Sequence, residues 1–243
     1  KVGDLLGEAN CIHRLGNIAL YRSDHETARA RFKEALPLYR KVECLLGEAN
    51  CIHGLGVIAI RRSDHETARA RYEEALLLSR NVGALQGEAN CILSLGEIAL
   101  QRSDQEAARA RYEEALLLCR KMGDPLGEAN CIRSLGDIAL QRSDRETARA
   151  RYEEALALYR KVGDLLGEAN CIHCLAVISL YRTDYETAFA RYIEALPLYR
   201  KVGDLLGEAN CIKGLGDIAR RCSAHQTACS RYNEALPLYR DVG

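Results

Sequence analysis

The sequence predicts an all-α protein built as a tandem array of helical hairpins, and three observations carry that expectation. The phrase GDLLGEANCI stands at residues 3–12 and returns at 163–172 and 203–212, with close variants ECLLGEANCI from Glu43, GALQGEANCI from Gly83 and GDPLGEANCI from Gly123. The six copies lie 40 residues apart in a chain of 243, a fixed period of the kind that stacked arrays show. Within each period, two stretches carry apolar residues at spacings of three and four, the pattern of helices rather than strands. One array over 1–243 is expected, with repeats at approximately 3–42, 43–82, 83–122, 123–162, 163–202 and 203–243.

The first helix of a repeat has an N-cap in Asp4. In the fourth copy Asp124-Pro125 adds proline at the first helical position, where a missing N–H does no harm. Ala9, Ile12, Leu15, Gly16 and Ala19 form one apolar face, and Cys11 and Ile18 form a second line. A helix with two such lines lies between neighbours. Ser23-Asp24-His25-Glu26 then reads as a capping box, with Ser23 accepting and Glu26 reaching back, and opens the second helix. That helix carries Ala28, Phe32, Ala35, Leu36 and Tyr39 on one face, with Arg29, Arg31 and Glu34 on others. Pairs such as Arg69 and Glu73 give it i,i+4 support. Gly83, Gly123, Gly163 and Gly203 close the helix, with Glu43 in that place after the first copy. Pro37, Pro197 and Pro237 sit late in it and are expected to kink or shorten it. Such a hairpin does not cover both apolar lines alone, so each copy needs the next.

Leu15-Gly16, Ala19, Ala28, Phe32 and Ala35-Leu36 resemble the tetratricopeptide repeat pattern, and Leu135-Gly136, Ala139, Ala148, Tyr152 and Ala155-Leu156 restate it in the fourth copy. There are three departures. Ile12 stands for the usual Trp, Arg40 for the closing Pro, and the period is 40 rather than about 34. In its longer period the chain is similar to the arrays of kinesin light chains and of STAND-type signalling NTPases. The resemblance implies a right-handed superhelical solenoid whose first helices line a concave groove. It also implies a non-catalytic scaffold that binds protein or extended peptide there.

The formal charge is zero, from 34 basic and 34 acidic residues mixed throughout, so no basic stripe invites nucleic acid. No apolar run reaches the roughly 18 residues of a membrane span. The opening Lys1-Val2-Gly3 lacks Met and signal-peptide character and matches Lys161-Val162-Gly163, which reads as a segment cut from a longer array. Among eleven Cys, six form one column, each followed by Ile: Cys11, Cys51, Cys91, Cys131, Cys171 and Cys211. That usage suits small buried side chains in a reducing compartment, hence an intracellular, cytoplasmic protein.

Little points to reaction chemistry. Neither G-x-x-x-x-G-K-S/T nor G-x-G-x-x-G occurs, so no phosphate cradle is indicated. Cys171-Ile172-His173-Cys174 lacks the second pair that a structural zinc site needs, and Cys222 and Cys229 are scattered thiols. His13, His53 and His173 share one column and His25, His65 and His225 another, without a paired nucleophile. No catalytic residue, metal or cofactor is expected.

Binding is indicated by where the copies differ. Three first-helix columns vary most: His13, His53, Leu93, Arg133, His173, Lys213; then Asn17, Val57, Glu97, Asp137, Val177, Asp217; then Tyr21, Arg61, Gln101, Gln141, Tyr181, Arg221. Spacings of four place them on one face. One turn earlier on that face the invariant Asn10, Asn50, Asn90, Asn130, Asn170 and Asn210 form a ladder. An amide donates and accepts at once, so the row suits a peptide backbone while the variable columns choose side chains. Groove asparagines in kinesin light chains imply the same use. The alternative is that each Asn bonds the backbone of the neighbouring repeat. The family's terminal-carboxylate clamp is poorly matched, because Gly54 and Ser94 occupy its polar sites. Two other readings are a self-associating structural module, with possible end-to-end contact, and a sensor array from a larger signalling NTPase. Tyr185, Phe189 and Ile193 form an apolar stripe peculiar to the fifth copy, a partner site if exposed and a packing contact with the sixth repeat otherwise.

Overall fold

A computed structural model describes residues 4–242, so Lys1-Val2-Gly3, the start of the first repeat and Gly243 lie outside the described residues. Those described form twelve helices and no strand, the all-α repeat architecture that the periodicity predicts. They are α1 (Leu5–Tyr21), α2 (His25–Lys41), α3 (Leu45–Arg61), α4 (His65–Asn81), α5 (Leu85–Gln101), α6 (Gln105–Met122), α7 (Pro125–Gln141), α8 (Arg145–Val162), α9 (Leu165–Tyr181), α10 (Tyr185–Val202), α11 (Leu205–Arg221) and α12 (His225–Val242). The chain divides into two compact units, the first ending at Gly123 and the second beginning at Asp124. Each holds three hairpins. In the first unit α2 packs on α3 and α4 on α5; in the second α8 packs on α9 and α10 on α11.

The first helices start as their sequence indicates. Asp4 accepts the Gly7 amide at 2.8 Å, and Asp124 caps α7 with Pro125 at its first position. The second helices start one residue later than a serine cap would place them. Asp24, not Ser23, accepts the Thr27 amide at 3.0 Å, and Asp64, Asp104, Asp144 and Asp184 repeat the bond. Ser23 is taken by the other helix: at φ +59° its amide donates to Leu20, finishing α1. Its left-handed backbone lets α1 end and α2 begin within three residues, which moves the capping role to the next side chain.

At the far end, Gly83, Gly123, Gly163 and Gly203 adopt φ between +66° and +76°, and Glu43 is forced to +56°. The prolines do not shorten their helices. α2 with Pro37 has 17 residues like α4, and α10 with Pro197 has 18 like α8. All three prolines are exposed, so the carbonyl that loses its partner faces the water side of the helix.

Packing follows the two apolar lines. Ala28, Phe32, Ala35 and Tyr39 bury against Ala9, Ile12 and Ala19 of their own hairpin. Gly16 permits that approach, since a Cβ there would stand 2.8 Å from the Phe32 ring. Leu15 departs from its expected burial and is 49% exposed, whereas Leu95 and Leu135 are buried. Between hairpins, the arginine that replaces the family's closing proline forks two ways. Arg160 donates from Nε to Glu168 at 2.9 Å and from Nη2 to Glu194 at 2.6 Å, tying α8, α9 and α10 together. Arg40, with Glu48 and Glu74, does the same for α2, α3 and α4. The fifth-copy stripe splits: Tyr185 joins the core beside it, while Phe189 and Ile193 stay 49% and 43% exposed.

Thr183 is a β-branched residue at φ +59°, and Gly163 at +76° has open space where a Cβ would go. Thr183→Gly should therefore raise, and Gly163→Ala lower, the unfolding free energy by about 1 kcal/mol each. Urea titration checks both.

Candidate functional site

Asn10, Asn130, Asn170 and Asn210 project from the first helices toward the second helix of their own repeat. The Tyr39 hydroxyl donates to Asn10 Oδ1 at 2.8 Å, and Tyr159 to Asn130, Tyr199 to Asn170 and Tyr239 to Asn210 at 2.7–2.8 Å. This partner is a side chain 29 residues on, not the backbone of the next repeat. Ser79 and Cys119 take the tyrosine's place in the second and third repeats, and Asn90 there accepts from Gln86 at 3.2 Å. The bond occupies Oδ1; the amide nitrogen carries two further donors. Asn10, Asn50 and Asn90 are exposed, and Asn130, Asn170 and Asn210 half-buried.

The variable columns divide by what their second helix offers. In the first unit His13 packs on Phe32 and Tyr39 with ring centroids 5.6 and 6.3 Å apart, and His53 packs on Tyr72 at 5.2 Å. Asn17 is half-buried, while Tyr21, Arg61, Glu97 and Gln101 are exposed, Tyr21 at 91%. In the second unit Asp137 accepts from the Tyr152 hydroxyl at 2.7 Å and from Arg133 at 2.9 Å, and Asp217 accepts from Tyr232 at 2.8 Å. Burial pushes the Asp137 carboxyl above its ordinary value even against Arg133. Burial also opposes the charge on Arg133, but Asp137 and Tyr159 outweigh it and hold the guanidinium protonated. Arg133 and Asp137 thus form part of an internal polar chain, and Gln141 one turn on is exposed.

One stretch of the predicted face opens into a cleft. In the second unit, α9 and α11 enclose about 340 Å³ lined by His173, Val177, Leu180, Tyr181, Tyr192, Asn210, Lys213, Gly214, Asp217 and Arg221. The columns thereby bring together His173, Tyr181, Asn210, Lys213 and Asp217. Tyr181 is 59% exposed, with Arg145 4.9 Å above its ring. Lys213 and Arg221 supply positive charge at the rim, and Val177, Leu180 and Tyr192 an apolar floor. Tyr192, Leu180 and Gly214 were not among the expected site residues. The column Arg14, Gly54, Ser94, Ser134, Cys174, Gly214 carried the signal, because a small residue there uncovers the aromatic ring behind it.

Burial acts on several groups of the types that do chemistry. Burial raises Cys171 and Cys174 to about 12, where the thiol rather than the nucleophilic thiolate persists. Burial lowers His53 and His173 below the usual imidazole value. Among the described residues no group of three or more His, Cys, Asp or Glu is placed to hold a metal ion, and no helix is long and apolar enough to cross a membrane.

With this geometry in view, comparison with known proteins decides the family. A tetratricopeptide repeat family model matches residues 48–121 and 168–241, more than half of the chain. The chain belongs to the tetratricopeptide repeat family. Comparison with curated protein sequences finds no match. Solved structures of low sequence identity share the tetratricopeptide fold. A STAND signal-transduction ATPase with a tetratricopeptide repeat sensor from Pyrococcus horikoshii is 15% identical with TM-score 0.80, over 99% of this chain and 38% of that one. BtubC (BKLC) from P. vanneervenii is 17% identical with TM-score 0.70, over 99% and 92%. A Rap protein complexed with Competence and Sporulation Factor is 12% identical with TM-score 0.68, over 96% and 75%.

The buried imidazoles of this tetratricopeptide repeat protein link its stability to pH. A histidine whose folded pKa lies below its unfolded value of about 6.5 binds its proton more readily when the chain unfolds, so stability is lost as pH falls below that value. His53 Nε2 has no hydrogen-bond partner among the described residues, which sharpens the penalty. Urea midpoints should fall from pH 7 to pH 5, and His53→Leu with His173→Leu should flatten that slope. Leucine already serves this column at Leu93.

Proposed function

We propose that the chain is a non-catalytic scaffold, a single array that grips a protein or extended peptide on the face of its first helices. The observation that carries this reading is the cleft between α9 and α11, where residues of four predicted columns converge on one apolar floor with a charged rim. The wall is built from helices braced by buried tyrosines, so the protein orders little on binding and weak contacts suffice. Support comes also from the likeness to a Rap protein whose structure holds Competence and Sporulation Factor, a likeness of fold only. Cys171 and Cys174, held as thiols by burial, offer no ready nucleophile, which suits a binding role.

Lys213 and Tyr181 are exposed, so changing them leaves the core intact. Extended peptides selected from a displayed random library on the wild-type protein should lose about tenfold or more in affinity on Lys213→Glu or Tyr181→Ala, with the melting temperature unchanged. Calorimetric titration reads the affinity. Peptides that bind these variants as tightly as the wild type, or a selection that yields none, would overturn the reading.

A further inference from the structure

A second kind of cleft recurs on the other side of the first helices, and in one copy of it the charge at a single position is reversed. In the first unit, Arg69, Glu73, Arg102, Asp104 and Arg111 line one such cleft with Leu95 and Ile98, between α4, α5 and α6. In the second unit, Arg149, Arg182, Asp184 and Arg191 line another with Leu175 and Ile178. In both, a glutamate from the second helix neutralises the leading arginine: Glu73 on Arg69 and Glu153 on Arg149, each at 2.9 Å.

The equivalent cleft between α2, α3 and α4 encloses about 150 Å³ and is lined by Arg29, Lys33, Arg62, Arg71, Asp64 and Thr67 over Leu55, Ile58 and Ala59. Lys33 stands where Glu73, Glu113 and Glu153 stand in the next three repeats, a change of two charges. Arg62 is paired with Glu26 and Arg71 with Glu74, and Asp64 is engaged in capping α4 through the Thr67 amide at 3.1 Å. Arg29 and Lys33 make no ion pair among the described residues. Two cations without ion-pair partners therefore share one concave site in which Asp64 is the one lining carboxylate, beside the first turn of α4 with its positive helix end. On α3 the cleft uses Leu55, Ile58 and Ala59, about half a turn round from Asn50, His53 and Val57, so it is separate from the face assigned to peptide.

We propose that this cleft binds a phosphoryl dianion, either inorganic phosphate or a phosphate monoester carried by a partner. Arg29 and Lys33, set against Asp64 once Arg62 and Arg71 are paired, leave the lining net positive and rich in donors. A phosphoryl group supplies negative charge at neutral pH and three strong acceptor oxygens for those guanidinium and ammonium donors. The site is particular to this hairpin pair. At the fifth and sixth repeats the same columns carry Phe189, Ile193 and Cys222, which offer no such charge.

The test uses the whole chain at fixed ionic strength, so that general screening stays constant. Inorganic phosphate and N-acetyl-O-phosphoserine amide are titrated by calorimetry into wild type, Lys33→Glu and Glu73→Lys. Wild type should bind at one saturable site, and Lys33→Glu should weaken it by about tenfold or more. That variant installs the residue used by three other repeats, so its melting temperature should match wild type. Glu73→Lys should add a second site. Tighter binding of the phosphoserine amide assigns the site to a phosphorylated partner, and tighter binding of phosphate assigns it to the free ion. Absence of saturable binding, indifference to Lys33→Glu, or no second site in Glu73→Lys would overturn the proposal.

Discussion

Each first helix carries two apolar lines, and its own hairpin covers only one of them. Within each unit the second line is covered by the second helix of the preceding hairpin, and the first repeat provides the comparison. Cys51 is 0% exposed and Ile58 2%, while Cys11 is exposed and Ile18 is 49% exposed on α1. Full burial of one isoleucine side chain stabilises by about 1.5–3 kcal/mol, so each junction within a unit gains where a lone hairpin would leave apolar surface in water. Gly54, which lies against the Phe32 ring of the preceding hairpin, the buried tyrosines and the Arg160 fork to Glu168 and Glu194 all serve this same contact, by setting how closely one helix meets the next.

The architecture was legible because packing dictates columns, and columns are visible when one chain holds six copies. Helix starts at Asp4 and helix ends at Gly83, Gly123, Gly163 and Gly203 follow from local backbone chemistry. Ser23 and Asp24 are both good caps, and their identities alone do not separate them. The choice falls to Asp24 because the preceding helix needs a left-handed residue at Ser23, a demand that comes from the three-residue turn rather than from either side chain. The effect of Pro37 depended likewise on exposure, which the sequence pattern does not state.

The site was legible in part. The variable columns gathered at the cleft of α9 and α11, because a spacing of four fixes which side chains share a helix face. What those side chains meet was hidden, because the partners lie on the other helix. Asn10 meets Tyr39, and Asp137 meets Tyr152, across 29 and 15 residues of chain. Arg40 was visible only as a departure from the family pattern; its two carboxylates, Glu48 and Glu74, come from two different helices.

Near-identity among the copies sets a problem for the chain while it folds. The run Leu5–His13 is the same as Leu165–His173, so a newly made second helix meets several docking partners of equal merit. Arrays of like units are prone to such misassembly, in which a hairpin is skipped or exchanged. The irregularities then act as address labels. Cys174 against Tyr152 and the unusual α10 make junctions unlike the rest, and so favour the correct order of assembly over its permutations.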